Sequence, residues 1–271
     1  MLLLNGQLLS ENDARISPLA DGFMLGAGVF TTLRVRDGRA EFFSEHAARL
    51  LDDAHALGLA PGAAENLRAR VTTCIAENSL AERDVGLKII WFADTDGRTG
   101  ELIMPRPHRY DATTHARGFR LKTVLCATRK GRTLASRKTL NYLEHAIAKR
   151  AAHAAGFDEA LWIDERERVL EGATTNLFAL INGELLTPPT TLGLLPGVIR
   201  GVLGRLPLPW RVRETELTRR DLLGAQEIIL TNSLLGAIRV SALDERSFPR
   251  EPAGVADTLS RALHEAARAS D

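Results

Sequence analysis

Three Asx-Gly dipeptides, Asn5-Gly6, Asp37-Gly38 and Asn182-Gly183, stand between short apolar runs and constrain the fold more than any other feature of the chain. Asn or Asp followed by Gly accepts the positive φ angles that the tightest hairpin turns demand, so each pair predicts antiparallel strands on its two sides. The first turn joins the two halves of residues 1–9, the second joins Val29–Val35 to Ala40–Phe43, and the third joins Asn176–Ile181 to Glu184–Leu186. Between the hairpins the apolar spacing changes to a helical period. Ala48, Leu51, Ala54 and Leu57 recur after a start at Ser44-Glu45 and stop at Gly58. A second helix is predicted from about Ala63 to Asn78, a third over Lys138–Ala155 ending at Gly156, and a closing one from Asp257 as N-cap to Arg268. Val85–Phe92, Glu101–Met104, Phe119–Ala127, Glu159–Ile163 and Glu227–Leu230 read as further strands. The class is α+β, with an N-terminal α+β domain over 1–110, a polar, non-periodic linker over 111–118, and a C-terminal α/β domain with antiparallel strands over 119–271. A crevice between the two domains is the expected ligand site.

Composition excludes several function classes. The 271 residues carry 35 basic and 34 acidic side chains, a balance that argues against a nucleic-acid or anionic-membrane partner. Two cysteines, Cys74 and Cys126, give neither a disulfide framework nor a zinc spacing, and no metal site is expected. The apolar start lacks a preceding basic region, and no apolar run approaches the roughly 20 residues of a membrane span, so a cytoplasmic protein is expected. Only five of the basic residues are lysines: Lys88, Lys122, Lys130, Lys138 and Lys149. Arginine cannot act as an amine nucleophile, so any covalent amine chemistry of a side chain belongs to one of these five.

Four places carry candidate chemistry. Lys138 opens the third predicted helix in Arg137-Lys138-Thr139-Leu140-Asn141-Tyr142, which would put Asn141 and Tyr142 beside it on the first turn. Nearby positive charge there would lower the pKa of an amine that must be a nucleophile, although a solvated first turn is the plain alternative. Glu171 lies between an apolar run and Gly172-Ala173-Thr174-Thr175-Asn176, small residues that let a flat ligand approach the backbone. A buried carboxylate there would hold a ring nitrogen protonated; a capped β-turn is the alternative. Leu195-Pro196-Gly197-Val198-Ile199-Arg200 reads as a loop entering a helix whose free amides suit a phosphate. Thr231-Asn232-Ser233 places hydroxyls at a strand's end.

In order along the chain these pieces resemble the class IV aminotransferase family, the fold-type IV enzymes that use pyridoxal 5′-phosphate. Asp21-Gly22-Phe23, Gly26-Ala27-Gly28-Val29-Phe30, Glu45-His46, Arg49-Leu50 and Leu177-Phe178 complete the match with the motifs above. The resemblance implies that Lys138 carries the cofactor covalently and acts as general base and acid. It implies that Glu171 pairs with the pyridine nitrogen and Tyr142 with the ring hydroxyl. It assigns the phosphate to Arg49, the amides of Val198 and Ile199, and Ser233. The family usually has Thr where Ile199 stands, which removes one side-chain contact and keeps the amide. A homodimer acting on a small-molecule amine is implied as well.

Within the family, Phe30-Thr31-Thr32, Asn141-Tyr142-Leu143-Glu144-His145 and Leu230-Thr231-Asn232-Ser233-Leu234 resemble the lyases that release pyruvate from 4-amino-4-deoxychorismate to leave 4-aminobenzoate, a folate precursor. Transaminating relatives commonly have an acid where Thr31 stands, and Thr32 is the candidate acid or proton relay. The Arg-Gly pair that family members often carry after the strand matching Val85–Phe92 is replaced by Ala93-Asp94-Thr95-Asp96-Gly97-Arg98, so Arg98 or Arg106 is the candidate for a substrate carboxylate. A transaminase for branched-chain or D-amino acids is the alternative, and a cofactor-poor, non-catalytic fold-mate the third.

Overall fold

The structure is a computed structural model that describes residues 1–60, 65–108, 110–132, 134–250 and 254–270. It divides into two units: Met1–His108 with Arg137–Asn141 and Ala267–Asp271, and Arg109–Ser136 with Tyr142–Ala266.

In the first unit, β1 (Leu2–Leu4) turns at Asn5-Gly6 into β2 (Gln7–Leu9), with φ of 51° and 80° at the two turn residues. A short helix α1 (Asp21–Met24) leads into β3 (Gly28–Arg36), which turns at Asp37-Gly38 into β4 (Arg39–Ala40). The returning strand is shorter than Ala40–Phe43 because Phe42 is left-handed, at φ 52°, and Phe43 already begins α2 (Phe43–Ala56). Ser44 therefore lies inside the helix, and no side chain caps its start. Helix α3 spans Leu67–Glu77; its expected beginning at Ala63 lies outside the described residues. Strands β5 (Val85–Ala93) and β6 (Thr99–Arg106) complete an antiparallel sheet in the order β2-β1-β6-β5-β3-β4. Alternate residues of β3 and β5, among them Val29, Leu33, Leu87, Ile89 and Trp91, pack with Leu50 and Ala54 of α2 and Val71 and Cys74 of α3 in one core. Burial of this apolar surface is what holds two amphipathic helices on one sheet face.

In the second unit, the stretch expected as a linker contains α4 (Ala112–Arg117), capped where the Asp111 carboxylate accepts the Thr114 N–H at 2.7 Å. It is followed by β7 (Phe119–Cys126), α5 (Leu143–Ala154), β8 (Glu159–Asp164), β9 (Val169–Gly172), β10 (Asn176–Ile181) and β11 (Glu184–Thr187). Then come α6 (Val198–Leu203), β12 (Val212–Glu214), α7 (Arg219–Leu223), β13 (Glu227–Asn232), β14 (Gly236–Leu243), β15 (Arg246–Ser247) and α8 (Val255–Ala269). The sheet runs β12-β11-β10-β13-β14-β7-β8-β9, with β15 against β14. It mixes antiparallel hairpins with parallel pairs at β7–β8, β7–β14 and β11–β12. Strand β8 is buried on both faces: Leu161 enters one apolar cluster, and Ala160 and Trp162 enter another with Ala148 and Ala152 of α5. Asp257 is a first-turn residue of α8 rather than its N-cap; the Glu227 carboxylate accepts the N–H groups of Val255 and Ala256 at 2.7 and 3.0 Å.

Candidate active site

The predicted helix start at Lys138 is not where the structure puts that residue. Helix α5 begins at Leu143, and Lys138-Thr139-Leu140 runs extended beside β3. The Phe30 N–H donates to the Lys138 carbonyl and the Leu140 N–H to the Gly28 carbonyl, both at 2.8 Å. The Lys138 N–H donates to Asp53 Oδ2 at 3.0 Å, so backbone groups that a helix would have used are already committed. Arg137 donates to Asp52 and to Asp53 Oδ1, which ties the segment to α2. Burial holds the Asp53 carboxyl above its ordinary range despite these donors.

The pairing aligns Lys138 with Phe30, and the Lys138 Nζ lies 5.0 Å from the centre of the Phe30 ring. A second ammonium, the Lys88 Nζ, lies 4.2 Å from the same ring. Lys88 lies in β5, and its cross-strand partner is Thr32. Burial first, and the Arg106 charge second, lower its pKa. The alternation of β3 separates its two threonines. Thr31 is fully buried on the α2 side, where its hydroxyl lies 2.6 Å from His46 Nδ1 and accepts from Arg49 Nη2 at 2.9 Å. Thr32 points to the opposite face, the one Phe30 occupies. His46 is buried, and burial, followed by the Arg49 and Lys138 charges, holds its pKa well below the ordinary value.

The two candidate substrate arginines sit at opposite ends of the β5–β6 ladder, whose terminal pairs are Ala93↔Thr99 and Gly86↔Arg106. Eight residue steps of strand separate them by about 26 Å of backbone. Arg98 is exposed and paired with Asp96 at 3.5 Å; Arg106 is exposed and close enough in charge to act on Lys88. The structure does not bring these two together.

In the second unit, Glu171 lies in β9 rather than in a β-turn and is buried. Its carboxylate accepts from Arg129 Nη1 at 3.3 Å, from Asn176 Nδ2 at 3.3 Å and from the Leu195 N–H at 3.2 Å. Nothing in the local sequence pattern pointed to Arg129. Tyr142 is the N-cap of α5; its hydroxyl donates to the Ala173 carbonyl at 3.4 Å, and its ring stacks on His145 at 4.4 Å. Leu195-Pro196-Gly197 leads into α6 as expected, and the side chains of Val198 and Ile199 are buried, which leaves their amides as the polar groups of that turn. Gly197 permits this turn, because a Cβ there would lie 2.0 Å from Asn176 Oδ1. Asn232 ends β13; its Oδ1 accepts from the Leu234 and Leu235 amides at 3.0 and 2.7 Å, and half-buried Ser233 sits inside that turn. Thr231 and Thr175 each bury a hydroxyl that has no hydrogen-bond partner among the described residues.

The amino-transferase class IV family matches residues 28–243, and a Methanocaldococcus jannaschii protein assigned as a branched-chain-amino-acid aminotransferase is 30% identical over 266 residues, 93% of this chain and 91% of that one. The chain belongs to the class IV aminotransferase family. A D-alanine aminotransferase of Listeria innocua is 25% identical over 269 residues, covering 90% and 87% of the two chains. Among solved structures, the pyridoxal-phosphate-bound form of a hypothetical aminotransferase from Mycobacterium tuberculosis superimposes with a TM-score of 0.88 at 26% identity over 99% of both chains. A Legionella pneumophila protein assigned as a 4-amino-4-deoxychorismate lyase gives 0.83 at 28% identity over 94% and 97%. The fold is that of the fold-type IV enzymes, and the cofactor is pyridoxal 5′-phosphate. The residues present fit this group: Glu171 is a buried carboxylate surrounded by donors, the acceptor a protonated pyridine nitrogen requires.

Proposed function

We propose that this enzyme is an amino acid aminotransferase, acting on a branched-chain or D-amino acid. What carries the reading is that the aminotransferases named above run alongside nine-tenths or more of this chain. When bound, the cofactor supplies an electron-withdrawing ring that stabilises negative charge on the substrate carbon beside the amine. The remaining tasks fall to the chain. Lys138 holds the cofactor and moves the proton on and off that carbon through its Nζ. Glu171 accepts the ring N–H, and Tyr142 faces the ring hydroxyl. Arg49, Ser233 and the amides of Val198 and Ile199 hold the phosphate; Ile199 contributes only its amide. Arg98 or Arg106 takes the substrate carboxylate. We also propose that the protein is a homodimer.

A second reading, release of pyruvate from 4-amino-4-deoxychorismate, draws support from the Legionella pneumophila structure named above and from one feature of this chain. Thr32 shares a sheet face with Phe30, against which the Lys138 amine lies, so its hydroxyl is on the side where a departing group would need a proton. The two readings separate on one experiment with the holoenzyme. Alanine, valine, D-alanine and glutamate should each be tested for conversion of the cofactor to its amine form, and 4-amino-4-deoxychorismate for production of pyruvate and 4-aminobenzoate. Conversion by an amino acid with no pyruvate from the chorismate derivative is expected; the reverse result replaces the aminotransferase reading with the lyase. In either case Lys138→Ala should abolish turnover in a folded protein, and retained turnover would remove Lys138 from the mechanism.

A further inference from the structure

Arg129 follows β7 and is 5% exposed. Its guanidinium lies 4.8 Å over the Trp162 ring, and its Nη1 donates to Glu171 Oε1 at 3.3 Å. The backbone is shaped to admit it. Gly193 has φ +83°, and a Cβ there would come within 2.6 Å of the Arg129 carbonyl oxygen. The other carboxylate oxygen of Glu171 takes the Asn176 amide and the Leu195 N–H, so Glu171 has donors on both oxygens. A carboxyl group that is 4% exposed would otherwise favour its neutral form, which can donate as readily as accept and binds a cationic N–H poorly. A guanidinium cannot lose its proton, so the positive charge beside Glu171 is constant over the working pH range.

We propose that Arg129 is a positioning residue that holds Glu171 ionised and aimed before any ligand arrives, so that the site selects a protonated aromatic nitrogen. The inference rests on the reading that Glu171 meets the cofactor ring. Among the described residues, the ionisable groups near this strand include Tyr142, the N-cap of α5, and His145, both bonded to the Ala173 carbonyl, Glu159, which pairs with Lys149 at 3.5 Å, and Arg168, which pairs with Asp164 at 2.6 Å. Arg129→Met leaves those contacts in place, so a change in pH profile reports on Glu171.

The test is the affinity of the apoenzyme for pyridoxal phosphate and for 1-deazapyridoxal phosphate, which has carbon at the ring nitrogen's position. It is measured between pH 6 and 9 on wild type, Arg129→Lys, Arg129→Gln, Arg129→Met and Glu171→Gln, each checked for native circular dichroism. Arg129→Met and Arg129→Gln are expected to bind pyridoxal phosphate about 10-fold more weakly than wild type at the acid end, a deficit that narrows as pH rises. Arg129→Lys should restore the wild-type profile, and the deaza analogue should bind wild type and all three Arg129 variants alike. Equal losses for both ligands, independent of pH, would make Arg129 merely structural and overturn the proposal. If Arg129→Met does not fold, the Gln and Lys variants decide it alone. Should Glu171→Gln bind both ligands as wild type does, the assignment of Glu171 fails, an outcome distinct from failure at Arg129.

Discussion

At the residue scale, the hydroxyl of Thr31 carries an unusually specific load. It accepts from Arg49 and lies 2.6 Å from His46 Nδ1, so one buried hydroxyl ties β3 to two side chains of α2. Thr31→Val keeps the shape and removes both bonds; the expected cost is about 1–3 kcal/mol in urea unfolding. The lowered pKa of His46 has a pH signature. Below its unfolded value of roughly 6.5, the unfolded chain binds a proton that the native chain refuses, so stability falls as pH drops. His46→Gln should flatten that slope between pH 7 and 5 relative to wild type, and parallel slopes would show that His46 does not titrate on unfolding. Much of this network was legible in the sequence: the period of β3 separates Thr31 from Thr32, and His46 and Arg49 stand three apart on a helix. That Lys88 shares the Phe30 ring with Lys138 was not legible, because it depends on the pairing of β3 with β5 on one side and with Lys138-Thr139 on the other.

At the scale of elements, the misplaced helix start is instructive. The apolar spacing from Leu140 onward is genuinely helical, but hydrogen bonds to Gly28, Phe30 and Asp53 hold residues 138–140 extended, and period alone carries no information about such distant partners. The same is true of α8, whose first amides are held by Glu227, 28 residues earlier. Glu227→Ala should therefore lower stability by about 1–2 kcal/mol, the value of a lost cap, measured by chemical denaturation; an unchanged midpoint would mean that solvent satisfies those amides equally well. Between β8 and β9, buried Asp164 takes Arg168 at 2.6 Å and the amides of Arg166 and Arg168. Burial alone would raise its pKa, yet these donors hold it below the ordinary carboxyl range. Its contribution is complete above pH 4 or so and is lost as pH falls through the folded value. Asp164→Asn leaves the Arg168 guanidinium with only its longer pairing to Glu216 at 3.3 Å and should cost about 1–3 kcal/mol.

For the molecule as a whole, the hairpin turns and the order of motifs made the α+β class and the family readable, since both depend on local signals that survive wide sequence change. The substrate was less readable, because Arg98 and Arg106 occupy opposite ends of one ladder and neither stands out as a carboxylate anchor. Leu19, Phe23, Met24 and Leu25 are 77, 70, 62 and 67% exposed within one short segment of the first unit. An apolar cluster of that kind on a monomer is unusual and supports the proposed dimer. Light scattering should give twice the chain mass, and Phe23→Glu with Leu25→Glu should reduce it to one; a wild-type monomer would contradict the proposal. We propose that Lys138 alone among the five lysines holds the cofactor. Borohydride reduction of the holoenzyme followed by peptide mapping should place the phosphopyridoxyl group on Lys138, whereas a label on Lys88, or on no lysine, would remove Lys138 from that role.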